Sequence, residues 1–274
     1  MRIRNHDIGV CSWSLRPEDT AELVAGVAAL GLSHIQLALG PLLMLDDKRK
    51  HAELGHLRAS GLILTATMIS FSGEDYTNIA KIHETGGYLA DTTWPLRRQL
   101  TAAASKLTAE LGARFLTTHI GFVPAKDAAG YADMLDRMRQ ITSDLQRDLV
   151  TLLLETGQEK ATALREFLVD LDVANVGVNF DPANMVLYGA GDPIEAVGVL
   201  RELIRHVHVK DATASASPGV EWGEEVPFGE GQVGARQFVA ALDQVGYTGP
   251  LVIEREAGEN RPLDVKKAIA ALNG

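Results

Sequence analysis

At 274 residues, with 46% hydrophobic and 23% charged residues, the chain has the composition of a globular protein able to bury a substantial core, and disorder is excluded. A formal net charge of −10 argues against a nucleic-acid partner, because a phosphate backbone is repelled unless positive charge is locally concentrated. The single cysteine, Cys11, rules out an internal disulfide framework and fits a reducing compartment; in its apolar run a small buried side chain is the expected role.

Residues 1–7 lack the apolar core of a signal peptide, and no stretch approaches the ~20 apolar residues needed to span a bilayer, so a cytoplasmic protein with no membrane partner is expected. Residues 8–14 read as a first strand. Pro17, Glu18 and Asp19 then open a helix to about residue 30, since proline loses no hydrogen bond in a first turn and acidic groups favour the positive end of the helix dipole. Strand 34–39, helix 46–60 and strand 62–71 continue the alternation. The strands are too continuously apolar for a one-sided sheet, which predicts parallel pairing with helices on the outside.

Residues 72–93 break the rhythm with Gly73, Gly86 and Gly87, and the expectation is a partly helical flap over the mouth of a site. A long helix follows from Trp94 to about residue 111, then strand 115–121 carrying His119. A helix over about 132–149 buries one face through Met134, Leu135, Met138, Ile141 and Leu145. Strand 151–157, helix 160–171, strand 176–184 and helix 192–203 lead to strand 204–211. A second long loop, 212–231, is expected to border the site too. Helix 235–245, strand 250–256 and helix 262–272 complete about eight strand and helix pairs, the number that closes a (β/α)8 TIM barrel of parallel strands, here a single domain over 1–274.

Four of these strands end in chemically useful residues. The run Ile-Arg-His-Val-His-Val-Lys-Asp places His206, His208 and Lys210 on one face and Val207 and Val209 on the other. The strands holding Glu155, Asp181 and Glu254 each end in a carboxylate, and the C-terminal ends of barrel strands converge. Three carboxylates brought together in a partly buried pocket need a cation or a proton. With His208 they make a mostly oxygen shell suited to Mg²⁺ or Mn²⁺, though Co²⁺, Ni²⁺ or Zn²⁺ would also be accepted. His206 reads as an orienting or core residue and His119 as a substrate contact or a support for a ligand. His6, His51, His56 and His83 read as surface residues, and His34 lies at the wrong end of its strand.

The motifs Leu153-Leu154-Glu155-Thr156-Gly157, Phe180-Asp181-Pro182-Ala183-Asn184, His206-Val207-His208-Val209-Lys210-Asp211 and Gly249-Pro250-Leu251-Val252-Ile253-Glu254-Arg255-Glu256 resemble the sugar phosphate isomerase/epimerase superfamily. These are the xylose isomerase-like TIM barrels, which include ketose 3-epimerases, inosose dehydratases and endonuclease IV. The resemblance implies one divalent metal on Glu155, Asp181, His208 and Glu254, with Glu155 and Glu254 also exchanging protons with opposite faces of the substrate carbon. It also implies a homo-oligomer. The chain departs from many ketose epimerases in having Asn184 in place of a histidine and Ala161 in place of a second glutamate.

The expected function is therefore an isomerase or epimerase of a small sugar, polyol or keto-sugar working through an enediolate. His119, Lys210 and Asn184 are expected to meet substrate, and Trp13 to offer an apolar wall. For Lys210 a structural ion pair is an equal reading. A lyase or dehydratase on a keto-sugar or inosose uses the same site when a leaving group stands at the next carbon. A carbohydrate-binding barrel without catalysis is the third reading.

Overall fold

A computed structural model describes all 274 residues. Its centre is built from strands β1 (His6–Cys11), β2 (His34–Ala38), β3 (Ile63–Met68), β4 (Phe115–Thr118), β5 (Thr151–Glu155), β6 (Val176–Phe180), β7 (Ile204–Val209) and β8 (Leu251–Ile253). Each pairs in parallel with the next in chain order, and β8 returns to β1 with Leu251 opposite Ile8, so the sheet closes into a barrel without free edges. Arg2–Ile3 adds to this sheet outside the ring, as an antiparallel hairpin onto the start of β1.

Eight helices cover the barrel: Thr20–Ala29, Asp47–Ala59, Trp94–Glu110, Gly130–Gln146, Ala161–Leu171, Pro193–Leu200, Ala235–Gln244 and Arg261–Asn273. Their local signals are mostly those expected. Asp19 caps the first helix by accepting from the Glu22 amide, so that helix begins three residues after Pro17, while the helix over Gly130–Gln146 buries Met134, Met138, Ile141 and Leu145 against the strands. Val207 and Val209 face these helices and are as fully buried as the histidines pointing inward. No helix is long and apolar enough to cross a membrane.

Three further short helices lie in loops that follow strands. Gly40–Leu43 follows β2, Ile79–Thr85 lies in the expected flap, and Pro182–Tyr188 follows β6. The first and last were not foreseen; Asp181 caps the last through the Asn184 amide at 2.9 Å. The flap is pinned at Gly87 (φ +65°), where any side chain would collide with the Ile120 carbonyl, and the Tyr88 amide donates to that same carbonyl at 3.0 Å. The second long loop folds into a two-stranded ribbon, Asp211–Thr213 with Glu224–Val226. Trp222 of this loop donates its indole N–H to the Tyr76 carbonyl of the flap at 3.1 Å, so the two insertions meet.

His6 corrects the reading made from sequence. It is fully buried, with Nδ1 at 2.9 Å from the Gly249 carbonyl, Nε2 at 3.3 Å from Asp243 and its ring stacked on Tyr247. A polar residue at the start of β1 is covered by the chain entering β8, which no local pattern reveals.

Candidate metal centre at the mouth of the barrel

The ends of β5, β6, β7 and β8 deliver Glu155, Asp181, His208 and Glu254 to one buried point, where one ligand-type atom of each lies within 4.8 Å of all the others. His208 Nδ1 is the hub, at 3.4 Å from Glu155, 3.3 Å from Asp181 and 3.0 Å from Glu254.

The tautomer of His208 is set from behind. Its Nε2 lies 2.6 Å from Gln36 Oε1, and Gln36 uses its amide N–H to donate to Thr117 Oγ1 at 2.7 Å. A carbonyl oxygen can only accept, so Nε2 carries the hydrogen and Nδ1 turns toward the carboxylates. Glu254 Oε2, although buried, has no hydrogen-bond partner, and Lys210 Nζ at 3.0 Å is not aligned to donate to it. An imidazole nitrogen and three carboxylate oxygens thus converge with one orphaned acceptor among them. That donor set fits a hard or borderline divalent cation.

The surrounding groups hold the carboxylates in place. Glu155 accepts from Asn184 Nδ2 at 3.0 Å and from Asn179 Nδ2 at 3.2 Å. Gly157 (φ +137°) permits the first of these, because a Cβ there would sit 2.4 Å from that of Asn184. Asn179 in turn accepts from His206 Nδ1 at 2.7 Å, and His206 Nε2 faces Thr65 Oγ1 at 3.0 Å. His206, read from sequence as an orienting or core residue, therefore orients Asn179 and stays away from the centre. Trp13 is more than an apolar wall: its indole N–H donates to Glu254 Oε1 at 2.7 Å.

Lys210 is engaged in ion pairs, with Glu256 at 2.8 Å, Glu254 at 3.0 Å and Asp181 at 3.8 Å. His119 stands at the rim with Nε2 3.6 Å from Glu155 and a buried Nδ1 that has no partner. Gln36, Asn179 and Glu256 were missed from sequence. Asn179 had a signal, since it lies two residues before Asp181 on the same inward side, and Gln36 is the one polar residue in the middle of an otherwise apolar strand.

Burial pushes the three carboxyls up, but neighbouring cations outweigh it. His119 and His208 hold Glu155 below the usual carboxylate range, and Lys210 with His208 does the same for Asp181 and Glu254. Burial also disfavours the charged form of His208, yet Glu254 and Glu155 beside it raise its pKa well above the usual value. His206 goes the other way, kept neutral by burial and by its neighbour His208.

A family model described as xylose isomerase-like TIM barrel matches residues 24–274. A xylose isomerase domain protein from Planctomyces limnophilus superposes with a TM-score of 0.87 at 28% identity, over 98% of this chain and 95% of that one. Two more distant structures share the fold. One is a xylose isomerase-like TIM barrel protein from Mycobacterium smegmatis in complex with magnesium, with TM-score 0.73 and 17% identity over 98% and 97% of the two chains. The other is D-psicose 3-epimerase from Clostridium cellulolyticum H10 with D-tagatose, with TM-score 0.70 and 16% identity over 97% of each. Among curated proteins, L-ribulose-5-phosphate 3-epimerase UlaE from Salmonella paratyphi C is 47% identical over 64 residues, 23% of this chain and 20% of that protein. An uncharacterised protein of Methanocaldococcus jannaschii is 24% identical over 161 residues, 54% of this chain and 52% of that one. The chain thus spans about half, or a fifth, of the length of these curated relatives.

Proposed function

From the premise that this chain belongs to the xylose isomerase-like TIM barrel family, we propose that it is a divalent-metal-dependent epimerase or isomerase of a small sugar, polyol or keto-sugar. The observation that carries this reading is the convergence of Glu155, Asp181, His208 and Glu254 within 4.8 Å, with Nδ1 of His208 aimed among the carboxylates. When bound there, a divalent ion supplies Lewis acidity, which acidifies the C–H beside a carbonyl.

Glu155 and Glu254 then do the proton work. Both are held ionised at neutral pH, so each begins as a base. Glu155 is fixed by Asn179 and Asn184, Glu254 by Trp13, and they approach the centre from β5 and β8. One takes the proton from the carbon beside the carbonyl; the other, after taking a proton from solvent, delivers it to the opposite face and is ionised again, and the first then releases its proton to solvent. His119 Nδ1 or Nε2 meets a substrate oxygen, and Lys210 keeps the local charge balanced while facing the same space.

Incubation of the manganese-loaded protein with a panel of ketoses in deuterated water tests this. Deuterium at a carbon next to the carbonyl, together with an epimer or isomer, is the expected result. A dehydrated product in its place would reassign the site to elimination. Binding without exchange would leave only a carbohydrate-binding barrel.

Two further outcomes follow from the geometry. The carboxylates around His208 favour a proton on Nδ1, and a metal ion taking that nitrogen as a ligand competes with it. Affinity for Mn²⁺ is therefore expected to rise with pH, approaching about tenfold per unit below the pKa of His208. Calorimetry in two buffers of different ionisation heat should count about one proton released, and uptake independent of pH between 6 and 8 would remove Nδ1 as a ligand. The second concerns Gln36→Leu, which deletes the acceptor behind His208 and frees the ring to take the wrong tautomer. Its Mn²⁺ affinity is expected to fall by about 10–100-fold with the fold intact.

A further inference from the structure

A cavity of about 660 Å³ lies immediately beside the centre and shares Trp13 with it. On one side the Trp13 indole donates to Glu254 and stands edge-on to the His208 ring, with centroids 6.3 Å apart. It also lines the cavity, whose apolar wall is formed by Leu23, Leu37, Leu42, Leu45 and Leu57. Gln36 points inward to His208, so Ala38 shares its inward side while Leu37 faces the helices. Both Ala38 and Leu37 line the cavity, which therefore runs from the barrel mouth over the rim into the layer between helices Thr20–Ala29 and Asp47–Ala59.

Several polar groups on this wall are committed to the fold, and Arg16, Glu18 and Arg49 line the remainder of it. Ser12 Oγ accepts from the Ala38 amide, Asp19 from the Glu22 amide and Glu53 from the Thr20 amide, each at 2.9 Å. Leu23, Leu37, Leu42 and Leu57 are each at most 6% exposed. Along the leucine side of the cavity a sugar hydroxyl would lose water without gaining a partner, whereas an aromatic or aliphatic group fits that side without such a loss. The volume is that of a small-molecule site.

We propose that the substrate has two parts: a polar ring or keto-sugar seated at the Glu155, Asp181, His208 and Glu254 cluster, and an apolar substituent seated in this cavity behind Trp13. The polar part of this statement rests on the function proposed above. The substrate class is then a glycoside or ether of a sugar with an aromatic or branched aliphatic group, and Trp13 is the shared wall that sets the distance between the two halves.

Titrating the manganese-loaded protein with phenol, methyl β-D-glucoside and phenyl β-D-glucoside tests the proposal. The phenyl glucoside is expected to bind at least about tenfold more tightly than the methyl glucoside. Leu42→Trp, which fills the cavity, should reduce that ratio to about one and abolish phenol binding, leaving the methyl glucoside within about twofold of wild type. Leu45→Trp, at a less buried loop position, gives the same reading if Leu42→Trp does not fold. Equal affinities for the two glycosides in wild type, no saturable binding of phenol or the phenyl glucoside, or a phenyl preference that survives both filling variants would each overturn the proposal. The Glu155→Gln/Glu254→Gln variant separates this from the reading of the centre. If it keeps phenol binding while wild type exchanges no deuterium into any ketose, the cavity stands and the proton-transfer reading falls.

Discussion

In a Glu155→Gln/Glu254→Gln variant, deuterium exchange into a ketose substrate is expected to fall by about 10⁴-fold or more, because both proton-transfer groups are lost and each is typically worth ~10²–10⁴. The same variant should lose metal. Two of three carboxylates become neutral amides, and the amide N–H₂ of either glutamine would point a donor at a site built from acceptors. The loss has a stability readout independent of activity. A ligand at ~1,000 times its Kd stabilises a protein by about 4 kcal/mol, which for a chain above 200 residues is on the order of 10 °C in Tm. Manganese is therefore expected to raise the Tm of wild type by about that much and leave the variant unmoved. A metal-induced rise that persists in the variant would place the ion elsewhere.

The second large effect is expected at Asp211, which closes the histidine strand motif but faces away from the centre. Its buried carboxylate accepts from four backbone amides: Ala212 and Val233 on Oδ1, at 2.9 and 3.0 Å, and Gly229 and Gly231 on Oδ2, at 2.9 and 3.1 Å. It ties the start of the second long loop to its end. Asp211→Ala would leave those N–H groups unpaired, at a cost of about 3–5 kcal/mol once the loop relaxes, with a fall in Tm on the order of 10 °C. The loop also carries Trp222, which holds the flap. Limited proteolysis should then cut within 212–231 before the barrel unfolds. An unchanged Tm and cleavage pattern would show that the clamp adds no stability.

How much of this was legible can be judged residue by residue. Glu155, Asp181, His208 and Glu254 were found because each ends an apolar run, and parallel barrel strands end on one face. Their convergence within 4.8 Å agrees with that inference. Asp181 shows why single residues mislead: one oxygen caps a helix through the Asn184 amide while the other faces His208. It caps that helix and also stands at the point where Glu155, His208 and Glu254 converge. Lys210 likewise makes the ion pairs that were one of its two readings, while facing the centre.

Other features had no local signal. Gln36 lies 172 positions from His208 in sequence, and its role depends on β2 and β7 facing one another across the barrel. Trp13 reaches Glu254 only because β8 closes onto β1. His6 becomes a core residue through the same closure.

By itself the sequence determined the alternation of strands and helices, the parallel barrel and the identity of the four convergent residues, because hydrophobic periodicity and strand-end placement are local properties written in consecutive residues. Only the tertiary structure decided which nitrogen of His208 faces the carboxylates, which groups orient Glu155 and Glu254, how the two long loops join, and that a cavity with a leucine-lined side opens behind Trp13. Those depend on contacts between strands and loops far apart in the chain, and their distances and directions exist only once the barrel has closed.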